Sequence, residues 1–429
     1  MPQLSDDSFA VAAPVLRIEE MERLLAERIV PVAEIEAVGL RAALGRVTAH
    51  DIPARLDLPP FDNSAVDGYA LRHADLASGA ETRLSVVDRI AAGHAAARPL
   101  AVGEAVRIFT GAPIPQGADT VLMQEDARLD GDVLIVPPGL KAGDNRRLAG
   151  EDLSKDGVML PAGRRLAAAD VALAAAQGLT GLPVRRRVAV ALFSTGDEIV
   201  EPGAPLPASA IYDANRYLLL ALAEKLGAVT TDLGILPDDP DALAAALRSA
   251  AVGHDLVITS GGVSAGEADH VRSAVERAGT LVFWRIAIKP GRPVAMGVLT
   301  GPGRETGAAG ARAAFVGLPG NPAAAFVTFA RVVRPLLLRL AGATPRPLQV
   351  LPVRAAFAHR KKPGRREYLR GSLRTGADGR PEVVTYRLEG AGAITSLTET
   401  DGLIEIGDDV TAVAPGDTVG FVSYTEIAG

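Results

Sequence analysis

Residues 255 to 271 read DLVITSGGVSAGEADHV, and they decide the fold. An apolar run, Leu256 to Ile258, meets two adjacent glycines, then Ser264, Gly266, Glu267 and Asp269, and then a helical pattern from His270. A strand ending in a glycine turn before a helix lets backbone approach a ligand closely, and the helix N-terminus offers N–H groups that favour an anion. Carboxylates in that first turn are stabilised by the helix dipole and can hold a divalent cation beside a phosphate. A single loop of this kind is equally well explained as a glycine turn with acidic capping residues.

Its neighbours repeat the texture. Val188 to Phe193 reads as a strand, Arg216 to Leu226 as a helix, Asp232 to Leu236 as a strand, Ala242 to Ala251 as a helix, Asp255 to Thr259 as a strand and His270 to Ala278 as a helix. Strands alternating with helices predict a parallel, doubly wound sheet that binds ligands beyond the strand C-termini. Those ends carry Ser194, Thr195, Gly196, Asp197 and Glu198 in one place, Asp238 and Asp239 in another, and Ser260, Gly261, Gly262 and Ser264 in the third. Hydroxyl, glycine and carboxylate on three strand ends fit a phosphate-and-Mg²⁺ site better than helix capping does. A fourth turn, FVGLPGNPAAAF, holds Pro319 and Gly320; Asn321 as N-cap and Pro322 as first helical residue give it a sufficient structural reason.

Outward from this region the texture changes. Val15 to Val47 reads as helical, with Leu and Val at three- and four-residue spacing. Asp57 to Asn145 is a series of short β-branched runs punctuated by Gly and Pro, a β-rich domain, and helical texture returns at AAADVALAAAQGL. The β-rich part is therefore expected as an insertion into a helical linking domain, residues 14–55 and 150–185 around residues 56–149. The α/β domain follows at 186–342 and a C-terminal small β-barrel or sandwich at 346–429. The stretch LTGPGRETGAAGARAAF reads as a loop without an assigned function.

The whole is a multidomain α/β plus β protein of 429 residues with a formal charge of -6. That balance argues against a chain devoted to coating nucleic acid or an anionic membrane. Without cysteine there is no disulfide, thiolate metal site or cysteine nucleophile. The start, MPQLSDDSFAVAAP, lacks the pattern of a secretory signal, and the apolar helical stretches are broken by Asp170 and Gln177, or by Arg331, Arg334 and Arg339. A cytoplasmic location is the expectation. Cations come from WRIAIKPGRP, with Arg285, Lys289 and Arg292, and from residues 354–374, where 8 Lys or Arg face one Glu. On an acidic chain such a run fits a polyanionic small ligand better than RNA. Gly262 to Gly266 matches a G-x-S-x-G nucleophile elbow, but the only later histidines, His270 and His359, stand in the wrong places for its base.

These segments, PPFDNSAVDGYAL, IFTGAPIPQGADTVLMQED, RRLAGEDL, LFSTGDEIVEPG, IYDANRYLL, DLVITSGGVSAGEADHV, AIKPGRP, VGLPGNP and GRREYLRG, stand in an order that resembles the molybdopterin molybdenumtransferase family, which includes the C-terminal portion of gephyrin. The resemblance implies a four-domain subunit in a homodimer, with the cleft between the α/β domain of one subunit and the C-terminal β domain of the other. It implies Mg²⁺-dependent hydrolysis of adenylylated molybdopterin, release of AMP and insertion of molybdate, with transient contact to the molybdopterin adenylyltransferase and to recipient molybdoenzymes. By motif it carries over Asp67, Thr110, Asp152, Glu198, Asp238 and Asp269 as catalytic, Glu198 and Asp269 also as metal-holding, and Lys289, Arg292 and Arg366 as molybdate-binding. Ser194, Thr195, Gly196, Ser260, Gly261, Gly262, Ser264, Pro319 and Gly320 come over as substrate-binding. The chain departs from the family pattern at Arg292, where Lys is usual, and at Ala324, where the family carries a hydroxyl. An adenylyltransferase shares the α/β part but needs none of the flanking domains, and a non-catalytic scaffold of the same fold would have no use for the acidic rim.

Overall fold

The computed structural model describes residues 4–6, 8–10, 15–32, 34–261, 270–301, 311–388 and 390–428. The chain forms two compact units: His50–Pro161 with Ala168–Thr180, and the remainder.

The first unit is built on a six-stranded sheet. Its strands are β1 (Gly68–Leu71), β2 (Thr82–Ile90), β3 (Glu104–Ile108), β4 (Thr120–Met123), β5 (Arg128–Asp130) and β6 (Val133–Val136), in the order β4-β1-β3-β2-β6-β5. Each face carries its own apolar cluster, one around Leu71, Leu84 and Leu122, the other around Ile90, Val106 and Val121. The helix Ala168–Ala176 belongs to this unit. Gln177, just past its end, is almost fully buried: its Oε1 accepts from the N–H groups of Arg55 (2.8 Å) and Leu56 (3.0 Å) while Nε2 donates to Leu56 O. The polar interruption of that apolar stretch is thus a satisfied core amide.

In the second unit the helix Ile18–Arg28 forms, but the helical reading through to Val47 fails beyond it. Ile35–Gly39 is a strand, paired antiparallel with Gly181–Arg185. The partner lies far along the chain, so tertiary pairing overrides a local spacing that suited a helix. The chain before His50 and the chain after Thr180 are thus paired as strands.

The α/β part holds β7 (Ala189–Ser194), α1 (Asn215–Lys225), β8 (Val229–Ile235), α2 (Pro240–Gly253), β9 (Leu256–Ser260), α3 (His270–Ala278), β10 (Gly279–Arg285), β11 (Ile288–Lys289), β12 (Pro293–Thr300), β13 (Arg312–Leu318) and α4 (Pro322–Thr328). The sheet order is β8-β7-β9-β13-β12-β10, and its first four strands are parallel. The last two join antiparallel, so the sheet is mixed, and the stretch expected as a loop from Leu299 to Phe315 contains the end of one strand and the start of another. Leu256, Val257 and Ile258 are fully buried, as a central parallel strand covered on both faces requires. One face packs on Leu219, Leu222 and Phe326 of α1 and α4, the other on Leu243, Leu247 and Val275 of α2 and α3. Asp239 caps α2 by accepting from Ala242 N at 2.8 Å, with Pro240 as its first residue.

Past α4 the helix runs through a π-helical turn, Phe329–Val333, into α5 (Arg334–Leu340). The C-terminal strands β14 (Leu351–Ala355), β15 (Arg366–Thr375), β16 (Pro381–Thr385), β17 (Gly402–Ile406) and β18 (Thr418–Ser423) close into a five-stranded barrel through the β15–β17 pairing. β11, from the α/β part, adds parallel to β15. Among the described residues no helix is long and apolar enough to cross a membrane.

Candidate active site

The parallel strands bring their polar ends together because each leaves the sheet at its carboxyl edge. Ser194, Thr195, Thr259 and Ser260 are all buried there. Asn215, the first residue of α1, ties two of these ends: Nδ2 donates to Ser260 Oγ (2.8 Å) and to Gly320 O (2.7 Å). Ser260 Oγ in turn reaches Pro319 O at 3.4 Å, and Gly261 N donates to Leu318 O at 3.0 Å. Gly196 and Gly261 both have positive φ; a Cβ at Gly196 would lie 2.8 Å from a Glu198 carboxylate oxygen. Yet Ser194 Oγ, Thr195 Oγ1, Thr259 Oγ1 and Asn215 Oδ1 are buried without a hydrogen-bond partner among the described residues. Each such orphan costs about 1–3 kcal/mol. Four of them at adjoining strand and helix ends are what a polar ligand would satisfy.

The sequence-predicted Ser194, Thr195, Gly196, Ser260, Gly261, Pro319 and Gly320 are therefore gathered in one place. Gly262, Ser264, Glu267 and Asp269, with the nucleophile-elbow motif, lie outside the described residues. Glu198 and Asp238 stand exposed on their own loops, and among the described residues no three acidic or imidazole groups form a metal-holding cluster.

A second group forms where β11 meets β15, with Lys289 opposite Glu367. Glu367 has no exposed surface, and its carboxylate faces two cations, Lys289 Nζ (3.2 Å) and Arg365 (3.0 Å), together with the imidazole Nε2 of His359 (3.0 Å). Burial pushes its carboxyl up, but hydrogen bonds from His359 and Lys289 and the charges of Lys289 and Arg365 outweigh that and hold it below its ordinary value. Lys289 keeps half of its side chain exposed, so donors remain for a ligand. Arg292 is exposed in the same turn, which is seated on α4: a Cβ at Gly291 would come within 2.3 Å of Thr328 Oγ1.

Arg366 differs. Its guanidinium is engaged by Glu19 (2.8 Å), Asp408 (3.2 Å) and Glu405 (3.5 Å). Three carboxylates around one cation leave little attraction for an oxyanion, and the residue that the fold sets beside Lys289 is Arg365. The basic run is largely spent on partners within the C-terminal domain: Arg354 and Arg374 pair with Glu382, Arg370 holds Ser396 and two carbonyls, and Lys361 donates to the carbonyls of Arg365 and Asp408. Sequence reasoning misses Asn215, Thr259, Arg365 and Glu367; the available signal for Glu367 is its position as the one acid among eight bases.

In the first unit, Asp67 and Thr110 form a pair. Asp67 Oδ1 accepts from both Thr110 N and Thr110 Oγ1 at 2.8 Å, and the backbone bond, then the hydroxyl bond, lower its pKa. Asp152 is exposed, anchored through its own N–H to Leu58 O at 3.0 Å.

Three family models match the chain: MoeA N-terminal region (domain I and II) over residues 16–178, probable molybdopterin binding domain over 191–339, and MoeA C-terminal region (domain IV) over 352–424. A molybdopterin molybdenumtransferase of Haemophilus influenzae is 36% identical over 97% of this chain and all of its own length. One of Nostoc is 40% identical over 72% of this chain and 70% of its own. A crystal structure of a molybdopterin biosynthesis moeA protein from Pyrococcus horikoshii OT3 superposes with a TM-score of 0.78 at 29% identity, covering 96% of this chain and 100% of that one. With its strand-end turns, its barrel and its full-length match, the chain belongs to the molybdopterin molybdenumtransferase family.

Proposed function

We propose that the protein inserts molybdate into adenylylated molybdopterin and releases AMP, forming the molybdenum cofactor. The observation that carries this reading is the set of four orphaned polar atoms at the strand ends beside Ser260 and Gly320, a cradle for a phosphorylated ligand. The hydroxyls of Ser194, Thr195 and Thr259 donate to the pterin phosphate there, while Asn215 Oδ1 accepts from an N–H or O–H of the same ligand. Lys289 and Arg365, oriented by Glu367, attract molybdate; Arg292 adds charge from the same turn.

Mg²⁺ enters with the pyrophosphate. The described residues hold no three-ligand cluster, and Mg²⁺ characteristically keeps several waters and takes one or two carboxylates plus substrate phosphates. Glu198, whose carboxylate lies against Gly196 at the cradle, suits that mode, and Asp269 is the second ligand by family resemblance. When bound, the cation neutralises charge on the phosphoanhydride.

The protein works as a cytoplasmic homodimer, with the α/β domain of one subunit facing the C-terminal β domain of the other. The test is incubation of purified protein with adenylylated molybdopterin, Mg²⁺ and molybdate. AMP release above a protein-free control, accelerated by molybdate, is expected, and its absence removes the proposal. Mixing Asp269→Asn and Arg365→Ala subunits should restore activity if the cleft spans the dimer; an inactive mixture with subunit exchange demonstrated removes that part.

A further inference from the structure

A row of side chains crosses the sheet of the first unit beside Asp67 and Thr110. Tyr69 on β1 is opposite Arg107 on β3, and Arg107 is opposite Arg89 on β2. Residues in register across a sheet share a face, and Phe109, two residues past Arg107, follows on the same side. The Arg107 guanidinium lies 5.0 Å from the ring centroids of both Tyr69 and Phe109, and that of Arg89 lies 4.8 Å from Phe109.

Arg107 is accounted for within the fold. It donates to Gly68 O (3.3 Å) and Gln124 Oε1 (2.5 Å), and covers the end of the apolar cluster that contains Tyr69. Arg89 is not. Its side chain is exposed, makes no hydrogen bond or ion pair among the described residues, and is held by the Phe109 ring alone. A guanidinium backed by an aromatic ring presents a flat outer face, on which a second planar ring stacks, and five free donors, which take a phosphate. The carboxylate near Arg107, Asp67, takes its hydrogen bonds from Thr110 and forms an ion pair with neither arginine among the described residues. Two guanidinium charges therefore stand in the row against that one carboxylate.

We infer that Arg89, laid on Phe109, is a docking platform for a planar heteroaromatic ring that carries a phosphate. The inference deepens the reading above, whose substrate carries such a group twice, as adenylate and as pterin phosphate. Arg89 here binds and orients; the residues read as catalytic are its neighbours.

The experiment is calorimetric titration of the intact protein at low salt with AMP, pterin-6-carboxylate and ribose 5-phosphate, comparing wild type with Arg89→Lys and Phe109→Leu. Lysine keeps the charge but not the plane, and leucine keeps apolar bulk but not the ring. Each variant should weaken the ligand that uses the platform by about tenfold, in line with stacking contributions. Ribose 5-phosphate should bind wild type and Arg89→Lys equally. Sensitivity of AMP assigns the platform to adenylate and sensitivity of the pterin assigns it to the pterin. Wild-type affinity for both rings in both variants, or ribose 5-phosphate bound as tightly as AMP, overturns the inference. AMP binding that depends on Arg89, in a protein that releases no AMP from adenylylated molybdopterin, would uphold the platform while removing the proposed reaction.

Discussion

Replacing Glu367 by Gln removes one charge from a site with no exposed surface. The carboxylate faces Lys289, His359 and Arg365, and an amide puts its NH₂ beside Lys289 and Arg365, which can only donate. Breaking a buried ion pair by removing one partner costs about 3–5 kcal/mol. Lys289 and Arg365 are partly exposed and can turn to water, whereas His359 is nearly enclosed, so the expectation is the low end, about 3 kcal/mol. Because the folded state holds the Glu367 carboxyl below its ordinary value, its contribution is complete above the unfolded carboxylate pKa and is lost as pH falls through the folded one. Urea unfolding followed by far-ultraviolet circular dichroism should show the full gap near neutral pH and a narrowing gap from about pH 5 towards about pH 3. Coincident midpoints at neutral pH, or a gap indifferent to acid, would refute the ion-pair account of this cluster.

Asn215→Leu removes two hydrogen bonds of about 1 kcal/mol each, so stability should fall by about 2 kcal/mol and phosphorylated-ligand binding should be lost, as measured by the same unfolding assay and by calorimetry. Asp67→Asn should leave the circular dichroism spectrum intact and lower turnover by orders of magnitude in the AMP-release assay. Thr110→Val deletes the hydroxyl bond but not the backbone bond that lowers the Asp67 pKa, so the acid limb of the pH–rate profile should move slightly upward. Lys289→Ala should flatten the salt dependence of molybdate affinity, because one of the charges that salt screens is gone.

The βαβ alternation is legible because buried parallel strands such as Leu256 to Ile258 are unbroken apolar runs, and because turn chemistry such as Asp239-Pro240 marks helix starts locally. The strand Ile35–Gly39 is not, since its reason is a partner at Gly181–Arg185. Nor is the antiparallel pair Gly279–Arg285 and Pro293–Thr300, which lies in the connection between the parallel strands Leu256–Ser260 and Arg312–Leu318 and whose sequence signals only a source of cations. The strand-end residues are found by composition. What composition cannot separate is Arg365 from Arg366: neighbours on a strand point to opposite faces, and which face holds Lys289 and which holds Glu19, Glu405 and Asp408 is set by the barrel's register.

The two-residue strand Ile288–Lys289 runs parallel to Arg366 and Glu367, and Arg366 N donates to Ala287 O at 2.8 Å. The free edge at the start of one barrel strand is therefore covered by a piece of chain that precedes the barrel by some sixty residues in sequence. A fragment beginning in the connection after Leu340 would leave the start of Arg366–Thr375 with bare N–H and C=O groups, an invitation to pair with another copy. Anyone grafting this barrel onto another protein would have to bring the 286–290 segment along as a separate splice.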